Sequence, residues 1–251
     1  MAVVNVHFFS KSLVKEVAFN AILPDRQDGP GPYPVFYLLH GLSDDYTAWL
    51  RWTSIERYVR ETPLIVVMPD GDRCFYCDTA DGRAYEKAIV RDLIGFVDTY
   101  FQTLADRKGR VIGGLSMGGY GAMKLGLKYP DLFCSITGFS GAYAVFRKWE
   151  TLVPDWQRLI GTEKAAREND CFALARRLKG KPTPAIRFDC GVEDFLIDHN
   201  RAFAKHLQRL GIPHEYEEFP GAHNWAYWDL RIQEALAFHC RVLGLPPPTL
   251  A

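Results

Sequence analysis

The sequence predicts an α/β fold: a mostly parallel central sheet flanked by helices, with a helical cap-like insertion. Three observations lead there. Short apolar runs without polar alternation (Val35 to Leu39, Leu64 to Met68 and Arg110 to Gly114) suit strands buried on both faces of a parallel sheet. Between them lie helical patterns such as Tyr85 to Leu104, which puts Ile89, Leu93, Phe96, Val97 and Tyr100 on one face. The strict strand–helix alternation then selects helices packed over the sheet.

Taken in order, Val3 to Phe9 and Lys15 to Leu23 read as an opening hairpin. A loop dense in Pro, Gly and Asp, Pro24 to Pro34, separates it from Val35 to Leu39. Further strands are expected at Cys134 to Phe139, Ala185 to Cys190 and His214 to Phe219. Gly119 to Tyr129, closed by Pro130, reads as a helix, and so does His199 to Leu210, which ends at Gly211-Ile212-Pro213. The stretch 141–184 breaks the rhythm and reads as the cap-like insertion. The expectation is one domain over 1–251 with a Pro-rich tail at 245–251.

The chain has 251 residues, 48% of them hydrophobic and 24% charged, which is enough to bury a full core. Thirty Lys+Arg balance thirty Asp+Glu, so there is no basic stripe for nucleic acid and no acidic bias toward disorder. No apolar run approaches the ~20 residues of a transmembrane helix, and Met1 to Phe9 alternates like a strand rather than a signal peptide. Six scattered cysteines read as reduced thiols. The expected location is therefore cytoplasmic, with no nucleic-acid or membrane partner. Cys74 and Cys77 form a Cys-x-x-Cys, but no second Cys or His pair stands at zinc-finger spacing, so no metal is expected.

The sharpest signal is Gly114-Leu115-Ser116-Met117-Gly118, placed between an apolar strand and a helical segment. A tight strand-to-helix turn forces its central residue into strained torsions, and only small neighbours let the chains pass. The turn lifts a serine hydroxyl clear of the sheet, beside a helix N-terminus that favours negative charge. A serine hydroxyl is a weak nucleophile and needs a base, an orienting acid and an oxyanion hole. His199, His206, His214, His223 and His239 follow Ser116. Only His223 lies in a loop after the last strand, in Gly221-Ala222-His223-Asn224-Trp225, so His223 is the expected base. For the acid, Glu193, Asp194 and Asp198 all follow the strand ending at Cys190, and spacing alone does not separate them.

Taken together these residues resemble the α/β-hydrolase superfamily, and within it the esterase D branch. That branch includes tributyrin-type esterases, feruloyl and acetyl-xylan esterases, S-formylglutathione hydrolases and secreted mycolyltransferases. The resemblance rests on Leu39-His40-Gly41-Leu42, Met68-Pro69-Asp70-Gly71, Gly114-Leu115-Ser116-Met117-Gly118-Gly119-Tyr120-Gly121, Tyr129-Pro130-Asp131-Leu132-Phe133, Cys190-Gly191-Val192-Glu193-Asp194 and Gly221-Ala222-His223-Asn224-Trp225, which span nearly the whole chain in order. It implies Ser116 as nucleophile, His223 as base and, through the Gly-x-x-Asp spacing from Gly191, Asp194 as acid. It implies an oxyanion hole of the Leu42 and Met117 backbone N–H groups, with His40 holding the loop. It also implies esters of short acyl groups, about C2 to C6, with modest discrimination per methylene, no cofactor, and room for a homodimer. Trp49, Phe75, Tyr76, Trp149 and Trp225 are expected near the substrate. The competing readings are a thioesterase of the S-formylglutathione type, a feruloyl or acetyl-xylan esterase, an acyltransferase, and a binding module that retains only the fold.

Overall fold

The structure, a computed structural model, describes residues 1–147 and 155–248. Its centre is an eight-stranded sheet. The strands are β1 (Ala2–Ser10), β2 (Lys15–Leu23), β3 (Val35–Leu39), β4 (Ile65–Pro69), β5 (Arg110–Gly114), β6 (Ser135–Phe139), β7 (Ala185–Gly191) and β8 (Glu215–Phe219). Their order across the sheet is β1-β2-β4-β3-β5-β6-β7-β8. β2 runs antiparallel to both of its neighbours, and β3 to β8 are parallel. Both the fold class and the opening hairpin are therefore as the sequence predicts.

The apolar runs lack alternation because both faces are covered. Along β3, Tyr37 and Leu39 belong to one core and Phe36 and Leu38 to the other. β4 divides in the same way, Ile65 and Val67 against Val66 and Met68. The helices in chain order are α1 (Ala48–Trp52), α2 (Ile55–Tyr58), α3 (Tyr85–Lys87), α4 (Ile94–Tyr100), α5 (Met117–Lys128), α6 (Trp156–Leu159), α7 (Glu163–Glu168), α8 (Cys171–Arg176), α9 (Ile197–Arg209) and α10 (Trp225–Leu243). A π-helical stretch, Ala88–Leu93, joins α3 to α4. Helices α3, α4, α5 and α9 supply the first core, and α1, α2 and α10 the second.

Some boundaries differ from expectation, the first of these for a tertiary reason. The helix predicted to Leu104 stops at Tyr100, because Phe101 turns extended and the chain beyond it pairs with Tyr33. There Tyr33 N–H donates to Gln102 O and Leu104 N–H to Tyr33 O. The helix expected from Gly119 begins at Met117, directly after Ser116. Helical pieces fill the described part of 141–184, and Leu159, Ala166, Phe172 and Leu174 join the first core. No helix among the described residues is long and apolar enough to cross a membrane.

Candidate active site

The site lies beyond the C-terminal ends of β3, β5 and β7, where open parallel sheets place functional groups. Ser116 joins β5 to α5 with φ 52° and ψ −113°, a conformation that non-glycine residues rarely adopt. The surroundings hold it there. Its N–H donates to Phe139 O at 2.8 Å, and its carbonyl accepts from Tyr120 N–H at 3.0 Å and Ala142 N–H at 3.2 Å. A Cβ on Gly114 would lie 2.7 Å from Leu39 O, and one on Gly118 would lie 2.5 Å from His40 O. Glycine at both places lets the elbow pack directly on the chain leaving β3.

His223 stands in the short loop between β8 and α10. Asn224 caps α10, its side-chain oxygen accepting from Tyr227 N–H at 3.1 Å, which fixes the loop beside the helix start. His223 Nε2 lies 3.0 Å from Ser116 Oγ, and Nδ1 lies 2.8 Å from Asp194 Oδ2. The Nδ1–H donates to the Asp194 carboxylate, which leaves the Nε2 lone pair facing the serine hydroxyl. Burial alone would raise the Asp194 pKa. Hydrogen bonds from His223, Leu196 N–H and the Ser140 hydroxyl outweigh that and hold it below the usual carboxylate value.

Of the other candidate acids, Glu193 has a different task. Glu193 is exposed, and its Oε2 accepts from Gly221 N–H at 2.6 Å while its own N–H donates to Gly221 O at 3.1 Å. It stitches the Asp194 loop to the His223 loop. Asp198 is exposed in the first turn of α9.

The loop after β3 is fixed from two sides. His40 Nε2 accepts from Gly71 N–H at 2.8 Å, so the ring proton resides on Nδ1 and is donated to Gly41 O at 2.7 Å. Gly41 C=O and Leu42 N–H belong to one trans peptide and point in opposite directions. Anchoring the carbonyl therefore aims the Leu42 N–H away from the His40 ring. Tyr76 Oη donates to His40 O at 3.0 Å and holds the preceding peptide. Met117 is the first residue of α5, so its N–H has no partner within the helix.

The expected aromatic contacts are mostly corrected. Trp49 is buried, its Nε1–H donating to Leu39 O at 3.1 Å, and it packs on Phe139 and Trp225 in the second core. Tyr76 is fully buried, with its hydroxyl satisfied by a backbone carbonyl, so it braces the loop instead of meeting substrate. Phe75 is buried between Tyr120 and Phe146. In each case a ring beside the site is covered by a neighbouring element that sequence proximity does not reveal. Trp225 is half-buried and stacks on the exposed Trp52. Trp149 lies outside the described residues.

Beneath the loop carrying Phe75 and Tyr76 lies an ion pair absent from the sequence reading. Lys124, fully buried on α5, donates to Tyr76 O at 2.5 Å and to Glu86 Oε2 at 2.7 Å. Glu86 Oε1 also accepts from Tyr129 Oη at 2.6 Å and meets Lys128 Nζ at 2.8 Å. A lysine inside an otherwise apolar helical run was the available signal. Cys77 Sγ lies 3.5 Å from the same ammonium, and burial pushes its thiol pKa up. Cys74 is likewise a buried free thiol, pushed up to about 12.

Comparison with known proteins places this geometry in a family. Residues 10–239 match the Esterase family model ("Putative esterase"). An acetyl esterase of Caldicellulosiruptor saccharolyticus is 33% identical over 269 aligned positions, covering 96% of this chain and 99% of that one. Among solved structures, the substrate-bound fluorophosphonate-binding serine hydrolase F of Staphylococcus aureus superposes with a TM-score of 0.88 at 30% identity, over 96% of this chain and 98% of that chain. An S-formylglutathione hydrolase from Staphylococcus aureus gives 0.85 at 30% identity, with the same coverage of both chains. The chain is a member of the Esterase family, an enzyme of the α/β-hydrolase fold in its esterase D-like branch.

Proposed function

We propose that this chain is a serine carboxylesterase that hydrolyses short-chain acyl esters through an acyl-enzyme on Ser116. The observation that carries the reading is the hydrogen-bonded row Ser116–His223–Asp194, with the serine held in a strained elbow. In acylation Ser116 Oγ attacks the ester carbonyl carbon while His223 Nε2 takes the hydroxyl proton. Asp194 keeps the imidazole in the Nδ1–H tautomer and stabilises the imidazolium. The Leu42 and Met117 N–H groups receive the developing oxyanion, a donor pair whose members are each worth ~100- to 1,000-fold in rate. The tetrahedral intermediate expels the alcohol as His223 returns the proton to its oxygen. Water then repeats the sequence on the acyl-enzyme and releases the acid.

The acetyl esterase relative supports a small acyl group. A thioester is the second reading, favoured by the S-formylglutathione hydrolase neighbour, because the same machinery expels a thiolate. The test is a hydrolysis profile over p-nitrophenyl esters of increasing acyl length, with methyl ferulate, an acetylated xylooligosaccharide and S-formylglutathione alongside. Activity is expected to peak at about C2 to C6, limited by the ~1 to 3 kcal/mol a pocket gains or loses per methylene. Ser116→Ala is expected to abolish it in a folded protein. Substantial turnover by that variant overturns the mechanism, and a dominant rate on S-formylglutathione selects the thioester reading.

A further inference from the structure

Phe195, the residue after Asp194, has 76% of its surface exposed, yet its ring centroid lies 4.4 Å from that of His223 with the planes tilted by 50°. A single exposed apolar residue calls for no explanation by itself. This one is carried against the His223 ring by a fixed backbone. Asp194 Oδ1 accepts from Leu196 N–H at 2.8 Å and Asp194 O accepts from Ile197 N–H at 3.0 Å, so the backbone on both sides of Phe195 is pinned. The other ring beside the imidazole, Trp228, is buried, its centroid 4.9 Å away and edge-on. His223 therefore has a packed aromatic neighbour on the core side, Trp228, and a solvent-exposed one, Phe195.

We infer that Phe195 is the contact surface for the leaving alcohol and biases the enzyme toward esters whose alcohol carries a flat apolar group. The inference rests on the esterase reading above. When the Ser116 Oγ–carbon bond has formed and the carbon–alkoxide bond breaks, the proton taken from Ser116 passes from His223 Nε2 to the departing oxygen. That oxygen must lie within hydrogen-bond reach of Nε2. The group it bears then extends past the imidazole, where Phe195 offers an exposed, pre-positioned ring. Aromatic contact of this kind adds selectivity beyond buried area.

The experiment compares benzyl acetate with methyl acetate, which share an acyl-enzyme and differ only in the alcohol. The readout is the ratio of kcat/KM for the two esters in wild type, Phe195→Ala and Phe195→Leu. The ratio is expected to fall ~3- to 10-fold in Phe195→Ala and by less in Phe195→Leu, which keeps apolar bulk without the ring. A ratio unchanged in both variants, including an equal loss on both esters, overturns the leaving-group role while leaving the esterase reading intact. A wild-type protein that hydrolyses neither ester, with Ser116 unreactive toward a fluorophosphonate, overturns the esterase reading itself. Because the ring is exposed, the substitutions leave the core untouched.

Discussion

Replacing Lys124 by Met removes one buried cation with little change in side-chain volume. The structure sets the cost. Glu86 loses its 2.7 Å partner but keeps Lys128 and Tyr129, and Tyr76 O loses its only charged donor. Breaking a buried pair by removing one member typically costs ~3 to 5 kcal/mol. The remaining partners of Glu86 place this case at the lower end, ~3 kcal/mol. The electrostatics of Glu86 point the same way. Burial would raise the Glu86 pKa, but the lysines outweigh it and hold it at about 2, against 4.5 for an ordinary glutamate. A depressed carboxyl contributes stability that is complete above 4.5 and lost as pH falls from there toward about 2, at up to ~1.4 kcal/mol per unit, a contribution that Lys124 and Lys128 share. Urea unfolding at neutral pH should show Lys124→Met destabilised by ~3 kcal/mol, with Tm lowered by ~6 to 12 °C for a chain of this size. Lys124→Met combined with Glu86→Gln should cost clearly less than the sum of the two single changes, because neither charge is then stranded. A single-variant loss under ~1 kcal/mol, or strict additivity, would refute the reasoning.

Tyr76→Phe deletes the hydroxyl that holds His40 O while keeping the ring in place. It is expected to lower kcat ~10-fold with KM nearly constant, since the Leu42 N–H it helps to aim acts on the transition state; steady-state kinetics check this, and an effect confined to KM would contradict it. His239 is fully buried between Ser135 Oγ and Thr137 Oγ1, at 2.9 and 3.0 Å, and burial together with the Arg187 charge lowers its pKa to about 3 from 6.5. The unfolded chain takes up this proton first, so the associated stability is intact above 6.5 and is lost as pH falls from there toward about 3, at up to ~1.4 kcal/mol per unit. Urea midpoints measured between pH 6.5 and 4 should fall steadily in wild type and less steeply in His239→Gln, and parallel slopes would contradict the assignment.

The parts legible in the sequence are those set by local pattern. Apolar runs marked β3, β4 and β5 because two-sided burial leaves no polar alternation, and the glycines around Ser116 marked a turn that only small neighbours permit. What stayed hidden depends on contacts between distant segments. Spacing alone leaves the adjacent carboxylates Glu193 and Asp194 level; the family resemblance picks Asp194, and the folded loops send Glu193 to Gly221 and Asp194 to His223. Trp49 sits on α1 and Tyr76 on a loop beside the site, and burial against the cores turns them from apparent substrate contacts into supports. Lys124 looked like one charge on a helix, whereas its partner Glu86 lies 38 residues earlier.

The most direct test of the central claim is mass-spectrometric mapping of fluorophosphonate labelling alongside ester hydrolysis. The account predicts one label per chain, on Ser116, with activity lost in proportion to labelling and no label on Ser116→Ala. A label on another residue, or hydrolysis that survives full modification of Ser116, would contradict it.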